Sequence, residues 1–250
     1  MRFTVTLNPL KNKVPIGNRI MCLSLIKSAL RIENEEIFNE LFFYGDRKNK
    51  KIKPFCFSVF LNNFKLNDGY IEVKENVSVT VSTISNKVGL TIFNGLIRMR
   101  KRNDGIFEYK DYKLKISNIT LVKEKTIEDK MIKCKTLSPI YIKDRSGKSV
   151  ELEEQEKFED ELNYISNIFL QNYRGTGLQE KLKFNPICMK KMVIKEEIKS
   201  FKEISNKKFL YINAFSGVFS LEGNEDDLKL LYQGGLGFRR SEGLGLIDLA

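Results

Sequence analysis

Apolar residues recur at every second position in some stretches of this chain and at every third or fourth in others. The order in which those two periods follow one another constrains the fold more than any other feature. The opening MRFTVTLNPL sets Phe3, Val5 and Leu7 against Arg2, Thr4 and Thr6, the pattern of a half-buried strand. After Pro15 and Gly17, the residues Ile20, Leu23, Ile26 and Leu30 return at helical spacing, and Asn34 starts a shorter, acidic-first helix towards Leu41. PFCFSVFL then predicts a strand, GYIEV with VSVTVSTI a strand or hairpin, Asn86 to Ile97 a second helix, and Tyr112 to Val122 a closing strand. The second half gives the same order. SPIYIK (138–143) predicts a short strand, and residues 151–173 a helix with Phe158, Leu162, Ile165 and Phe169 on one face and Arg174-Gly175 at its end. Strands follow near 184–195 and 207–221. Asn224 then caps a short helix with Glu225, Asp226 and Asp227 in its first turn, Gly234 ends it, and LGLIDL closes as a strand. Both halves are β-α-β-β-α-β, the split-βαβ or ferredoxin-like order. The expected fold is α+β: two tandem ferredoxin-like domains, residues 1–125 and 126–250, joined near the charged stretch Lys123 to Lys135, with a C-terminal glycine-rich loop at 234–245.

Composition narrows the chemistry. The 43 Lys and Arg against 32 Asp and Glu leave a net charge of +11, which suits a polyanionic partner such as nucleic acid or an acidic membrane surface. No apolar run reaches the roughly 20 residues of a membrane helix, and the N-terminus has the pattern of a strand rather than a signal peptide, so a soluble cytoplasmic protein is expected. Cys22, Cys56, Cys134 and Cys188 are scattered without a C-x-x-C pair, as expected for buried reduced thiols. The chain contains no histidine, which argues against a zinc site and removes the one side chain that titrates unperturbed near neutrality. Acid–base chemistry therefore falls to Tyr, Lys, Asp, Glu or Cys.

The C-terminal run GGLGFRRSEGLGLIDLA brackets FRRSE between Gly235-Leu236-Gly237 and Gly243-Leu244-Gly245. Arg240 occupies the third glycine position of a dinucleotide fingerprint, only one strand remains after the loop, and no G-K-[ST] is present, so neither a Rossmann nor a Walker loop is formed. Two readings stay open on spacing alone. One is a glycine-rich turn with a solvated arginine pair; the other is a cradle that brings backbone N–H groups and the guanidinium groups of Arg239 and Arg240 to phosphates.

Gly-Leu-Gly, five residues, Gly-Leu-Gly and a terminal apolar strand resemble the signature of the CRISPR repeat-processing endoribonucleases, the sixth Cas protein family within the glycine-loop (RAMP) RNA-binding superfamily. MRFTVTL, PFCFS after a basic loop, LSPIYIK and NEDDLKLLYQGGLG extend the resemblance over nearly the whole chain. It implies two ferredoxin-like domains that bind the repeat of a CRISPR precursor transcript. It also implies cleavage without metal or other cofactor through the 2′-hydroxyl beside the scissile phosphate, leaving a 2′,3′-cyclic phosphate and a 5′-hydroxyl. Repeat RNA, precursor and mature, is the implied partner, with a CRISPR effector complex as a further candidate and no membrane; monomer and homodimer both stay open.

The resemblance also implies a histidine after the first helical region, with a tyrosine and a lysine nearby. Here Phe42 stands at the histidine position, Lys27 near that of the helix tyrosine and Lys48 near that of the basic residue, with Tyr44 the nearest proton donor. Lys27, Tyr44 and Lys48 are thus the candidate catalytic groups. Tyr and Lys normally titrate near 10 and are good donors but poor bases at neutral pH, so loss of the histidine predicts a slow enzyme or a silent, repeat-binding relative. The candidate RNA contacts are Arg47, Lys50 and Lys51 in the basic loop, with Gly235, Gly237, Arg239, Arg240, Ser241, Gly243 and Gly245 at the C-terminus.

Overall fold

Phe3, Val5 and Leu7 project on alternate residues from β1 (Arg2–Pro9) into a core, while Thr4 on the other face pairs its hydroxyl with that of Thr80 at 3.1 Å. The structure, a computed structural model, describes residues 1–45, 47–49, 51–196 and 210–250. It divides into two units, Met1–Glu124 with Ser241–Gly243, and Lys125–Arg240 with Leu244–Ala250.

In the first unit β1 is followed by β2 (Lys13–Pro15), α1 (Asn18–Glu33), α2 (Glu35–Phe42), β3 (Phe43–Tyr44), β4 (Arg47–Lys48) and β5 (Phe55–Leu61). Then come β6 (Phe64–Leu66), β7 (Tyr70–Val73), β8 (Val77–Thr83), α3 (Asn86–Lys101), β9 (Ile106–Tyr109) and β10 (Tyr112–Val122). The main sheet has the order β5-β8-β1-β10-β9, with β1 antiparallel to both neighbours. Setting aside the edge hairpin strand β9, the first strand lies between the third and the fourth, which is the ferredoxin-like arrangement. Both main helices bury one stripe against the sheet: Met21, Cys22, Leu25, Ile26, Ala29 and Leu30 from α1, and Val88, Ile92 and Leu96 from α3. Asn34 ends α1 and caps α2, its Oδ1 accepting from the Ile37 N–H at 2.9 Å.

The second unit runs β11 (Met131–Thr136), α4 (Gln155–Arg174), β12 (Lys183–Glu196), β13 (Leu210–Glu222), α5 (Glu225–Gly234) and β14 (Ile247–Leu249). Its sheet order, β12-β13-β11-β14, is the same arrangement again, so the fold is a tandem ferredoxin-like pair. Phe158 of α4 meets Phe184 at 5.1 Å between ring centroids, and Phe184 meets Phe219 at 4.9 Å. The fully buried Asp227 of α5 takes a charged hydrogen bond from Arg174 at 2.5 Å and one from the Gln179 N–H at 2.7 Å, tying the end of α4 to the start of α5.

The first strand of this unit lies earlier than the expected SPIYIK. It is Met131–Thr136, overlapping the end of the stretch expected to be the join, whereas residues 138–143 touch the sheet through the bridge Ile140↔Phe215. The boundary between the units, Glu124/Lys125, falls in the first part of that expected join. In its last part Lys133 and Lys135 alternate with the buried Ile132 and Cys134 and mark a strand's solvent face. α4 begins at Gln155 rather than 151, and positions 207–209 of the expected strand lie outside the described residues. Three cysteines are buried, and burial pushes the Cys22 and Cys134 thiols up to about 12; Cys188, also expected inside, is exposed at a bulge of β12.

α1 and α3 approach so closely that a Cβ at Gly95 would fall on the carbonyl oxygen of Ala29. Alanine in place of a helical glycine ordinarily gains about 1 kcal/mol of propensity, but overpacking costs about 1–3 kcal/mol. Gly95→Ala is therefore expected to lower the thermal midpoint by several degrees in a circular-dichroism melt; an unchanged or raised midpoint would show that the helices separate freely.

Candidate nucleic-acid interface

Two glycines of the C-terminal loop, Gly237 and Gly245, lie directly against backbone. Leu236 N–H donates to the Gly245 carbonyl at 2.8 Å, Gly245 N–H to Pro139 at 2.9 Å, and Phe238 N–H to Tyr141 at 2.8 Å. The loop is thus laid along the 137–142 segment. A Cβ at Gly245 would collide with the Leu236 carbonyl oxygen, and one at Gly237 would come within 2.5 Å of the Tyr141 carbonyl oxygen; both residues have positive φ. Gly235, Gly237, Gly243 and Gly245 are all buried. Gly243, grouped with the first unit, lies where a Cβ would come within 2.9 Å of the Arg19 side chain and the Phe57 ring.

The two arginines part company. Arg240 is 5% exposed, with its guanidinium 3.6 Å from the centre of the Phe169 ring and donating to the carbonyls of Gly234 and Gly235 at 3.3 and 3.4 Å. Arg239, at φ 57°, sits half-buried with its guanidinium 5.9 Å from the Tyr141 ring, and Ser241 is half-buried as well. Lys143 Nζ lies 5.1 Å from the neighbouring Phe238 ring. Of the arginine pair, then, Arg239 borders solvent and Arg240 holds the loop to α4.

In the first unit, Phe42 at the end of α2 carries two ammonium groups against its ring: Lys27 Nζ from α1 at 4.6 Å and Lys53 Nζ at 5.7 Å. The chain between them is folded by Asn49, whose N–H donates to the Phe42 carbonyl at 2.8 Å, whose Nδ2 donates to the Glu40 carbonyl at 2.9 Å and whose Oδ1 accepts from the Lys51 N–H at 2.8 Å. Lys53 Nζ donates to the carbonyls of Asn49 at 2.8 Å and Lys51 at 2.6 Å. Burial, and then the neighbouring Lys27 charge, lower the Lys53 pKa to about 8.

Of the residues singled out in the sequence, Lys27 joins this cluster and Lys51 borders it through its backbone. Tyr44, 79% exposed on the β3–β4 hairpin opposite Arg47, lines a different hollow with Arg31, Phe38 and Phe43. Lys50 and the Lys48 side chain lie outside the described residues. Lys53 belongs to the basic loop read from the sequence as a phosphate track, but its place over Phe42 is what the sequence pattern missed. It is one of several lysines in a basic run, and its only local signal is that it directly precedes PFCFS. Among the described residues no cluster of three or more Cys, Asp or Glu side chains could hold a metal ion, and no helix is long and apolar enough to cross a membrane.

Residues 122–249, just over half of the chain, match the family described as CRISPR associated protein Cas6, C-terminal. The chain belongs to the Cas6 family. Its broad functional class is therefore that of CRISPR RNA processing. No curated protein sequence matches it. Among solved structures, it is similar to one described as "An RAMP protein binding different RNA substrates", at 21% identity and a TM-score of 0.78, covering 100% of this chain and 99% of that one. A Cas6-related protein from Pyrococcus furiosus is similar at 19% identity and a TM-score of 0.78, covering 100% and 98%. A third, described as CRISPR associated protein Cas6, is similar at 18% and 0.69, covering 100% and 99%. At these identities the likeness carries the fold, and the Cas6 assignment rests on the C-terminal match.

The split between the arginines is testable. Arg240→Ala removes a desolvated cation–π contact worth about 2 kcal/mol and its charged hydrogen bonds, so the melting midpoint is expected to fall by several degrees. Arg239→Ala is expected to leave the midpoint nearly unchanged and to reduce the salt dependence of RNA binding by about one unit of slope. Equal behaviour of the two variants in both measurements would refute the division of roles.

Proposed function

We propose that the chain is a metal-independent endoribonuclease of CRISPR repeat RNA, with Lys27 and Lys53 taking over at Phe42 the work that the family resemblance assigns to a histidine. The observation that carries this reading is the pair of ammonium groups on one ring, one of them brought into the range of neutral pH. With a pKa of about 8, roughly a quarter of Lys53 is neutral at pH 7.5, enough to accept a proton from a 2′-hydroxyl. The 2′-oxygen then attacks the adjacent phosphorus, and the 5′-oxygen leaves with a proton, giving 2′,3′-cyclic phosphate and 5′-hydroxyl ends. Lys27 brings an ammonium group beside the developing phosphorane charge and is the group assigned to protonate the leaving oxygen. Tyr44 and Lys48 remain the sequence's alternative donors. Arg239, Ser241 and the basic loop with Arg47, Lys50 and Lys51 are assigned to holding the RNA backbone, which supplies affinity rather than sequence choice.

The competing reading, a relative that binds the repeat without cutting, is favoured by Phe42 and by the absence of histidine. End-labelled repeat RNA incubated with the protein in EDTA, with product ends mapped, separates the two. Cleavage at a single site is expected, with a rate that rises about tenfold per pH unit below 8 and levels off above it, because the base acts in its neutral form. Lys53→Ala should slow cleavage by about 10²–10⁴-fold with affinity retained within a few-fold. Tight binding with the RNA left intact at every pH would establish the binding-only relative instead.

A further inference from the structure

A hollow of about 360 Å³ opens beside Arg239 within the second unit. Lys143, Lys148 and Arg239 bring three cationic side chains to it, Tyr141 and Tyr211 two aromatic rings, and Asn213 an amide, and among the described residues no acidic one lines it. The turn that carries the two lysines is built rather than loose. Lys143 bridges Ser149, and Asp144 Oδ1 accepts from the Ser146 N–H at 3.0 Å, the Ser146 hydroxyl at 2.6 Å and the Lys148 N–H at 3.0 Å. The carboxylate that Asn213 touches, Glu151, is paired with Lys191 at 2.9 Å, so its charge is already met.

On the opposite wall, Tyr211 of β13 leaves 61% of its surface in water although its neighbour Ile212 is buried. Strand alternation explains this: Ile212 and Ala214 turn into a small apolar cluster with Ile194, Tyr141 and Leu244, which puts Tyr211 and Asn213 on the other face. A ring held at the rim of a cationic hollow suits a ligand with both a π-face and phosphates. The volume lies at the small end of the about 300–1,000 Å³ occupied by ligand sites, which fits one nucleotide and not a base pair. Base-on-aromatic stacking with Lys and Arg on the flanking phosphates is how single-stranded nucleic acid is held.

Resting on the repeat-RNA reading above, we propose that this hollow receives one unpaired nucleotide of the repeat, its base stacked on Tyr211 and its phosphates held by Lys143, Lys148 and Arg239. The site takes a nucleotide that the RNA fold leaves unstacked, so it selects for the shape of the repeat at one position. It is separate in the chain from Lys27 and Lys53 and is not needed for the chemical step.

The test is fluorescence anisotropy on the full chain, using labelled repeat RNA and a series of repeats each carrying one abasic position. Tyr211→Ala is expected to weaken binding of the intact repeat by about 5- to 150-fold, and Tyr211→Phe to bind as the parent does. In the parent protein one abasic position should cost a similar factor, and in Tyr211→Ala that same position should cost nothing further. Lys143→Ala and Lys148→Ala should each lower the slope of log affinity against log salt by roughly 0.7. Tyr211→Ala binding the intact repeat within twofold of the parent overturns the proposal, as does a weakened variant that keeps the parent's full sensitivity at every abasic position. If the parent itself shows no preference for the repeat over random RNA of equal length, the repeat-RNA reading fails first, and the nucleotide site falls with it.

Discussion

Backbone lying directly on backbone, without a side chain between, is what the C-terminal loop depends on. Gly237 meets the Tyr141 carbonyl and Gly245 the Leu236 carbonyl, and three loop N–H groups are satisfied within this clasp. Such contacts leave no room for a Cβ and satisfy polar groups that burial would otherwise penalise. Beneath the loop Arg240 continues the same logic: its charge is desolvated, and the Phe169 face and two carbonyl oxygens compensate it. The signature glycines thus act by shaping a rigid shelf, from which Arg239 and Ser241 border solvent.

A second constraint governs the first unit. Without histidine, a neutral base near pH 7 has to be made by environment. Partial burial, and then the charge of Lys27 at the same Phe42 ring, raise the cost of charging Lys53. Asn49 makes this geometry from an otherwise ordinary lysine-rich loop. Its N–H and side-chain amide join the loop to the last turn of α2, which brings Lys53 back over Phe42.

Much of the fold was legible because the two apolar periods are clean in β1, α1, α4 and α5, and because Asn34 and Asn224 cap where a cap residue should. β11 escaped because its solvent-facing lysines resemble a linker when only charge is counted. The site was less legible for a different reason. Sequence shows two adjacent arginines and a run of lysines as equals, whereas backbone direction makes Arg240 an interior residue and a loop fold makes Lys53 unlike Lys51. Lys143, Lys148 and Tyr211 come together only through tertiary structure, over a span of more than sixty positions that no local pattern covers.

The uneven fate of the thiols has a practical side. Thiol reagents attack the thiolate, and Cys22 and Cys134 are both sealed in and held near 12, while Cys56 is fully buried. A maleimide offered to the native chain therefore has one address, Cys188 on β12. The strand pair that carries Tyr211 comes with its own attachment point for a dye, with no engineered cysteine and none to remove.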